Sequence, residues 1–167
     1  KWDKGEVTFA NAWGACDGDT YRKVIKEADK SYAEGKPFLS VILSISNHRP
    51  YTYPDENLPL KSGKHKRRGA VLYADYAIGQ FIEEAKTKPW FDNTVFVFVA
   101  DHTAGAAGKE EINLAGHHIP AILYAPKLIK PKRVDTPISQ IDVLPTLLGI
   151  LNFDYVSRFW GQNALAK

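Results

Sequence analysis

TVFVFVA, residues 94–100, runs straight into Asp101 and His102. A short stretch that is continuously apolar after Thr94, rich in Val and Phe and bounded by polar residues, predicts a central strand covered on both faces. Working outward, residues 38–45 (FLSVILSI) read as a second buried strand and residues 119–124 as a third. Between the first two, Val71, Ala74, Ile78, Phe81, Ile82 and Ala85 mark one face of an amphipathic helix that ends at Lys88-Pro89. Upstream, Asp17 or Asp19 is placed to cap a helix in which Tyr21, Val24, Ile25, Ala28 and Tyr32 recur at helical spacing, and Gly35 and Pro37 stop it. Residues 127–137 are a connector, and residues 139–151 predict a short helix with Pro145 near its start. A helix between two strong strands argues for an α/β fold with parallel pairing, a mostly parallel sheet flanked by helices.

The 167 residues suffice for one domain with a sizeable core. With 44% hydrophobic and 25% charged residues the chain falls among folded globular sequences. A net charge of +3, with bases and acids interleaved, gives no ground for nucleic-acid binding. The single Cys16 excludes an intramolecular disulfide and any cysteine-cluster metal site. No apolar run reaches the roughly 18 residues of a transmembrane helix, and no signal peptide opens the chain. Methionine is absent even at position 1, so a processed or truncated piece of a longer protein is expected.

In an open parallel sheet, functional groups gather beyond the carboxyl ends of the strands. Asp101-His102 occupies that place, and a carboxylate beside an imidazole is an ordinary ligand pair for a divalent ion. Both reach one ion only if the chain turns at His102, which the Gly/Ala-rich residues beyond permit; otherwise they are a capping Asp and an exposed His. A second loop, Ser46-Asn47-His48-Arg49-Pro50-Tyr51, follows the strand ending near Ile45. There His48 is suited to bind phosphate or sulfate oxygens or to protonate a leaving group, and Arg49 to form charge-assisted bonds to the same anion. His117 and His118 precede the third strand, at its entry rather than its exit, and His118 is a candidate substrate contact. Lys61, Lys64, His65, Lys66, Arg67 and Arg68 form a basic cluster that is either a solvated loop or an attractor of anionic headgroups. Trp13-Gly14 and Trp160-Gly161 read as packing and turn features, Asp142 as a cap and Cys16 as structural or inert.

These motifs resemble a known family. Asp92-Asn93-Thr94 followed by Asp101-His102 is similar to the corresponding segment of sulfatases in the alkaline phosphatase superfamily. The loop from Asn47 to Tyr51 resembles that of lipoteichoic acid synthases and membrane phosphoglycerol transferases. Tyr73-Ala74-Asp75-Tyr76-Ala77-Ile78-Gly79 resembles the helix joining these segments there. His118-Ile119-Pro120 with Leu123-Tyr124-Ala125-Pro126 resembles the strand after the metal loop. Gln140-Ile141-Asp142-Val143-Leu144-Pro145-Thr146-Leu147-Leu148 resembles the Asp-x-x-Pro-Thr-Leu helix of sulfatases. The matches run in family order from about Trp13 to Gly161.

The resemblance implies an alkaline-phosphatase-like α/β fold, with residues 1–167 as the C-terminal portion of a sulfatase-like catalytic domain. It implies that Asp101 and His102 bind a catalytic divalent ion (Mn²⁺, Mg²⁺, Ca²⁺ or Zn²⁺). It further implies that His48, as catalytic and substrate-binding residue, contacts a phosphate or sulfate ester; Arg49 and His118 are expected substrate-binding residues on their own chemistry and place in the chain. The nucleophile and an acidic ligand come from upstream in such enzymes, and Cys16 lacks the Cys/Ser-x-Pro-x-Arg context of a formylglycine nucleophile. Thr103 departs from the Gly, Cys or Tyr that usually follows Asp-His, which leaves the subfamily open. A phosphoglycerol-transferase-like enzyme acting on glycolipid or glycan substrates is expected. It would be anchored in the cytoplasmic membrane by upstream helices, with its catalytic domain periplasmic or extracellular. The alternatives are a true sulfatase and a non-catalytic domain that binds anionic surfaces.

Overall fold

The computed structural model describes residues 1–55, 58–64, 66–105, 114–158 and 160–166. They form two compact units, Lys1–Lys130 and Pro131–Lys167.

The first unit opens with a small antiparallel hairpin, β1 (Ala10–Asn11) and β2 (Gly14–Ala15), in which Asn11 pairs with Gly14. Its turn is built by the Asn11 side chain, whose Oδ1 accepts the Trp13 N–H at 2.8 Å, and by Gly14 at φ +136°, a conformation L side chains rarely adopt. Helix α1 (Asp17–Ala33) follows and buries Tyr21, Ile25 and Ala28, as their spacing requires. Neither aspartate caps it. The N-cap is Cys16, which makes no side-chain cap bond, because both carboxylates are drawn into contacts with distant backbone. Lys23 and Lys26 bind Glu6 and Asp3, which fastens the N-terminal lead along the helix.

Helix α2 (Lys66–Ala85) packs on α1, with Tyr21 and Phe81 stacked at 5.0 Å between ring centroids. Its buried face is Gly69, Ala70, Tyr73, Ala77, Phe81 and Ala85, rotated from the expected one, and Val71 is exposed. Small residues let the helices approach, so Ala and Gly occupy positions that a count of large apolar side chains assigns elsewhere. The chain then turns through Trp90, whose Nε1–H donates to Asp29 Oδ1 at 2.7 Å, into β3 (Phe96–Val99).

Strand β3 pairs with β4 (Ala121–Tyr124) in antiparallel fashion, Phe96 opposite Tyr124 and Val99 opposite Ala121. Parallel pairing does not hold for these two strands. A parallel neighbour needs a crossover connection, and the described part of this connection holds only the four-residue helix α3 (Leu114–His117). Phe96 is buried among Phe81, Phe91 and Tyr124, whereas Val99 at the far end is exposed. Coverage on both faces is therefore confined to the beginning of this strand. Residues 38–45 form no strand among the described residues. Phe38 and Ile42 lean on the core, but Leu39, Val41 and Leu43 are 78%, 91% and 76% exposed. The expected buried strand fails because no described residue bonds to its backbone as a ladder partner or covers its odd-numbered face.

In the second unit a short 3₁₀ turn (Gln140–Asp142) leads into α4 (Val143–Ile150). Asp142 makes no side-chain cap bond to α4; it is the third residue of a capping box whose N-cap is Ser139. Its Oδ2 accepts the Ser139 N–H at 2.8 Å in a capping box, and its Oδ1 accepts the Gln162 N–H at 2.9 Å. These two backbone donors hold the Asp142 carboxyl below the usual carboxylate range. No helix among the described residues is long and apolar enough to cross a membrane.

Candidate active site

Beyond Val99 the chain bends at Asp101 and His102, the turn the sequence required for both side chains to converge. The His102 N–H donates to Asp101 Oδ1 at 2.9 Å, and His102 Nε2 lies 3.5 Å from Asp101 Oδ2. The other ring nitrogen decides the tautomer. His102 Nδ1 is 2.7 Å from the Thr103 carbonyl oxygen, which can only accept, so in the neutral ring Nδ1 carries the proton and Nε2 the lone pair. Two ligands at about 2.0–2.2 Å from one tetrahedral ion stand roughly 3.4 Å apart, close to the spacing seen here. Both side chains are about two-thirds exposed. The donor set thus fits a divalent ion as two of its ligands. Among the described residues no group of three or more His, Cys, Asp or Glu completes the set.

The antiparallel ladder changes the standing of His118. Because β4 runs opposite to β3, its entry lies beside the exit of β3. The ladder ends at the pair Val99–Ala121, two residues before Asp101 on one strand and three residues after His118 on the other. The Thr103 hydroxyl donates to the Gly116 carbonyl at 2.7 Å, which ties the loop after His102 to the segment carrying His117 and His118. Entry and exit of the two strands are one edge. Residues 106–113, including much of the Gly/Ala-rich loop, lie outside the described residues.

His48 sits at the tip of a double turn. The His48 N–H donates to the Ile45 carbonyl at 2.9 Å and the Tyr51 N–H to the His48 carbonyl at 2.8 Å, so residues 47–49 project into solvent. His48 Nδ1 donates to the Arg49 carbonyl at 2.9 Å, leaving Nε2 as the outward nitrogen of the neutral ring. Its ring rests on the indole of Trp13, with centroids 3.9 Å apart and planes at 48°. Among the described residues His48 makes no hydrogen bond to the Asp101–His102 pair. Through the Thr103–Gly116 bond the structure ties the bend at Asp101 and His102 to the segment carrying His117 and His118, and it rests the His48 ring on Trp13.

Three residues that sequence reasoning did not promote support that loop. The carboxylate of Asp17, 1% exposed, accepts the Ile45 N–H at 2.8 Å and the Ser46 N–H at 3.0 Å through Oδ1. In return the buried Ser46 hydroxyl accepts the Asp17 N–H at 3.0 Å. Trp13 is the third, and the Asn-x-Trp-Gly turn that presents it was the available signal. Cys16 is buried, and burial pushes its thiol up, which suits an inert residue rather than a nucleophile. Lys64, Lys66, Arg67 and Arg68 are exposed at the start of α2, and His65 of that cluster lies outside the described residues.

The Sulfatase family model matches residues 2–153. Over 167 residues the chain is 24% identical to the lipoteichoic acid synthase-like YvgJ of Bacillus subtilis (strain 168), covering 87% of this chain and 27% of that protein. Over 104 residues it is 29% identical to phosphoglycerol transferase I of Escherichia fergusonii, covering 59% of this chain and 14% of that one. A crystal structure of a protein in the alkaline phosphatase superfamily from Vibrio parahaemolyticus matches it with a TM-score of 0.88 at 34% identity, covering 96% of this chain and 40% of that one. The expected α/β, alkaline-phosphatase-like fold is the observed one. The chain spans under a third of the length of either curated relative.

Proposed function

The chain belongs to the sulfatase family, and from that premise we propose that residues 1–167 are the C-terminal portion of a catalytic domain that transfers or hydrolyses a phosphate or sulfate ester. One observation carries the proposal. Asp101 Oδ2 and His102 Nε2 converge to 3.5 Å, with the histidine tautomer set by the Thr103 carbonyl, a pair suited to one divalent ion. Bound there, such an ion (Mn²⁺, Mg²⁺, Ca²⁺ or Zn²⁺) supplies positive charge that offsets the charge growing on the ester group.

The chain's own residues do the rest of the binding. His48 presents Nε2 to an ester oxygen, where it donates a bond when protonated or takes part in proton transfer to the leaving group. Arg49 adds a fixed positive charge beside it, and His118 approaches from the edge of β4. The nucleophile and remaining metal ligand are supplied from elsewhere in the protein, so the isolated 167 residues are inactive. The His48 loop and the two curated relatives favour a phosphoglycerol-transferase-like enzyme over a true sulfatase. With that branch goes a membrane-anchored protein whose catalytic domain faces the periplasm or the exterior, acting on glycolipid or glycan.

The test uses the whole protein. Asp101→Ala and His102→Gln are expected to lower bound divalent metal, measured by elemental analysis after dialysis. They are also expected to lower turnover of fluorescent phosphatidylglycerol by at least about a hundredfold. Full metal content and activity in Asp101→Ala would overturn the assignment. Turnover of p-nitrophenyl sulfate without phosphatidylglycerol would select the sulfatase branch. Absence of any turnover, with salt-sensitive vesicle binding lost on neutralising Lys64, Lys66, Arg67 and Arg68, would favour the non-catalytic reading.

A further inference from the structure

We propose that Trp13 is a positioning residue for His48, so that the two rings work as one unit in the reaction. The inference rests on the substrate-contacting role of His48 proposed above. A histidine on an exposed loop tip has two free torsions, and its ring plane is fixed only by what bonds to it or packs on it. Here one restraint comes from the Arg49 carbonyl, which holds Nδ1 at 2.9 Å and so directs Nε2 outward. The second comes from the indole of Trp13, whose ring centroid lies 3.9 Å from that of the imidazole. Together a hydrogen bond at one edge and a ring against one face remove both freedoms.

The indole is itself held. Asn11 Oδ1 accepts the Trp13 N–H at 2.8 Å, and Asn11 Nδ2 donates to the Thr52 hydroxyl at 3.3 Å. The hairpin turn is thereby fastened to the same 45–52 segment that carries His48. The Cys16 N–H donates to the Phe9 carbonyl at 2.9 Å and closes the hairpin at its base, directly before Asp17, which binds Ile45 and Ser46. The hairpin and the loop therefore touch at two points, Trp13 on His48 and Asn11 on Thr52, and Asp17 of α1 ties the start of the loop beside them. Trp13 nevertheless stays 56% exposed, which a residue serving only to fill the core does not need to be. Its large apolar ring is placed against a histidine at the surface, where a tilted contact at 3.9 Å fixes orientation more than it adds stability.

A double-mutant cycle in the whole protein tests this, with kcat/KM measured on fluorescent phosphatidylglycerol or on p-nitrophenyl sulfate, whichever the wild type turns over. Trp13→Ala is expected to lower kcat/KM roughly five- to tenfold, as the loss of an aromatic pair allows, and Trp13→Phe to restore most of it. In the His48→Gln background Trp13→Ala should cost less than about twofold, because its effect passes through His48. Additive losses would overturn the proposal, as would a Trp13→Phe variant as impaired as Trp13→Ala. Should His48→Gln turn over substrate like wild type, the role of His48 itself fails, an outcome distinct from additivity. Circular dichroism and the thermal midpoint of each variant identify any loss that comes from unfolding, and a Trp13→Ala loss explained by unfolding alone would also count against the proposal.

Discussion

Asp17 and Asp19 are each 1% exposed in the first turn of α1, yet neither carboxylate caps the helix. Asp17 holds the start of the His48 loop and leaves Oδ2 buried without a hydrogen-bond partner among the described residues, a costly arrangement that fits a role in positioning. Asp19 gathers the Thr8 N–H at 2.7 Å, the Thr8 hydroxyl at 2.9 Å and the Phe9 N–H at 3.1 Å, with Arg22 beside it. Burial pushes the Asp19 carboxyl up, but these donors outweigh it and hold the group below the usual carboxylate range. A carboxyl depressed on folding contributes stability that is complete above its unfolded value, roughly 4, and is lost as the pH falls through the folded value. Asp19→Asn should therefore lower stability at neutral pH and flatten its fall below about pH 4. Urea midpoints at pH 6, 4 and 3 check this. A variant whose midpoint drops as steeply as that of the wild type would show that other groups set the acid limb, Glu6 foremost. The Asp3 N–H, then Lys26 and Lys23, hold Glu6 at about 2.

Helix α2 offers a paired test at the scale of an element. Gly79 has open space where a Cβ would stand, whereas a Cβ on Gly69 would overlap the hydroxyl of Tyr53. Tyr53 cannot easily withdraw, since it is 1% exposed and donates to the Leu60 carbonyl at 3.0 Å. Gly79→Ala should stabilise by about 0.5–1 kcal/mol through helix propensity and the lost freedom of the unfolded chain. Gly69→Ala should destabilise by about 1–3 kcal/mol despite the same propensity gain. Thermal and urea unfolding of both variants check the contrast, and equal shifts would mean that the Tyr53 contact carries no weight. Such close approaches are what the sequence did not reveal. Periodicity placed α1 and α2, because Tyr21, Ile25, Ala28 and Phe81 repeat as a helix requires. It placed Phe81 and Ala85 on the buried face of α2 but missed the rest of that face, because Gly69, Ala70 and Ala77 carry less hydrophobic signal than Val71, Ile78 and Ile82. Asp101 and His102 were legible from their place after an apolar run. The position of His118 was not, since strand direction depends on how the chain returns. Nor was Trp13, whose ring contact with His48 joins residues that only the tertiary fold brings together.

For the whole molecule, the apolar run at residues 38–45 poses a different question. Phe38 and Ile42 face the core, while Leu39, Val41 and Leu43, on the opposite face of an extended segment, are largely open to solvent. Composition predicts a buried run here, and composition reports what a segment prefers, not what covers it. Exposed aliphatic side chains beside backbone that forms no ladder among the described residues are a template for association. The isolated 167-residue chain should therefore self-associate with rising concentration and bind a hydrophobic dye. Replacing Leu39, Val41 and Leu43 together by Thr keeps strand propensity and removes most of the apolar surface. The triple variant should stay monodisperse by light scattering at concentrations where the wild type does not, with a thermal midpoint within a few degrees of it. If it associated as readily as the parent, the cause would lie elsewhere on the surface. A large drop in its midpoint would instead mean that this face is already packed in the isolated chain.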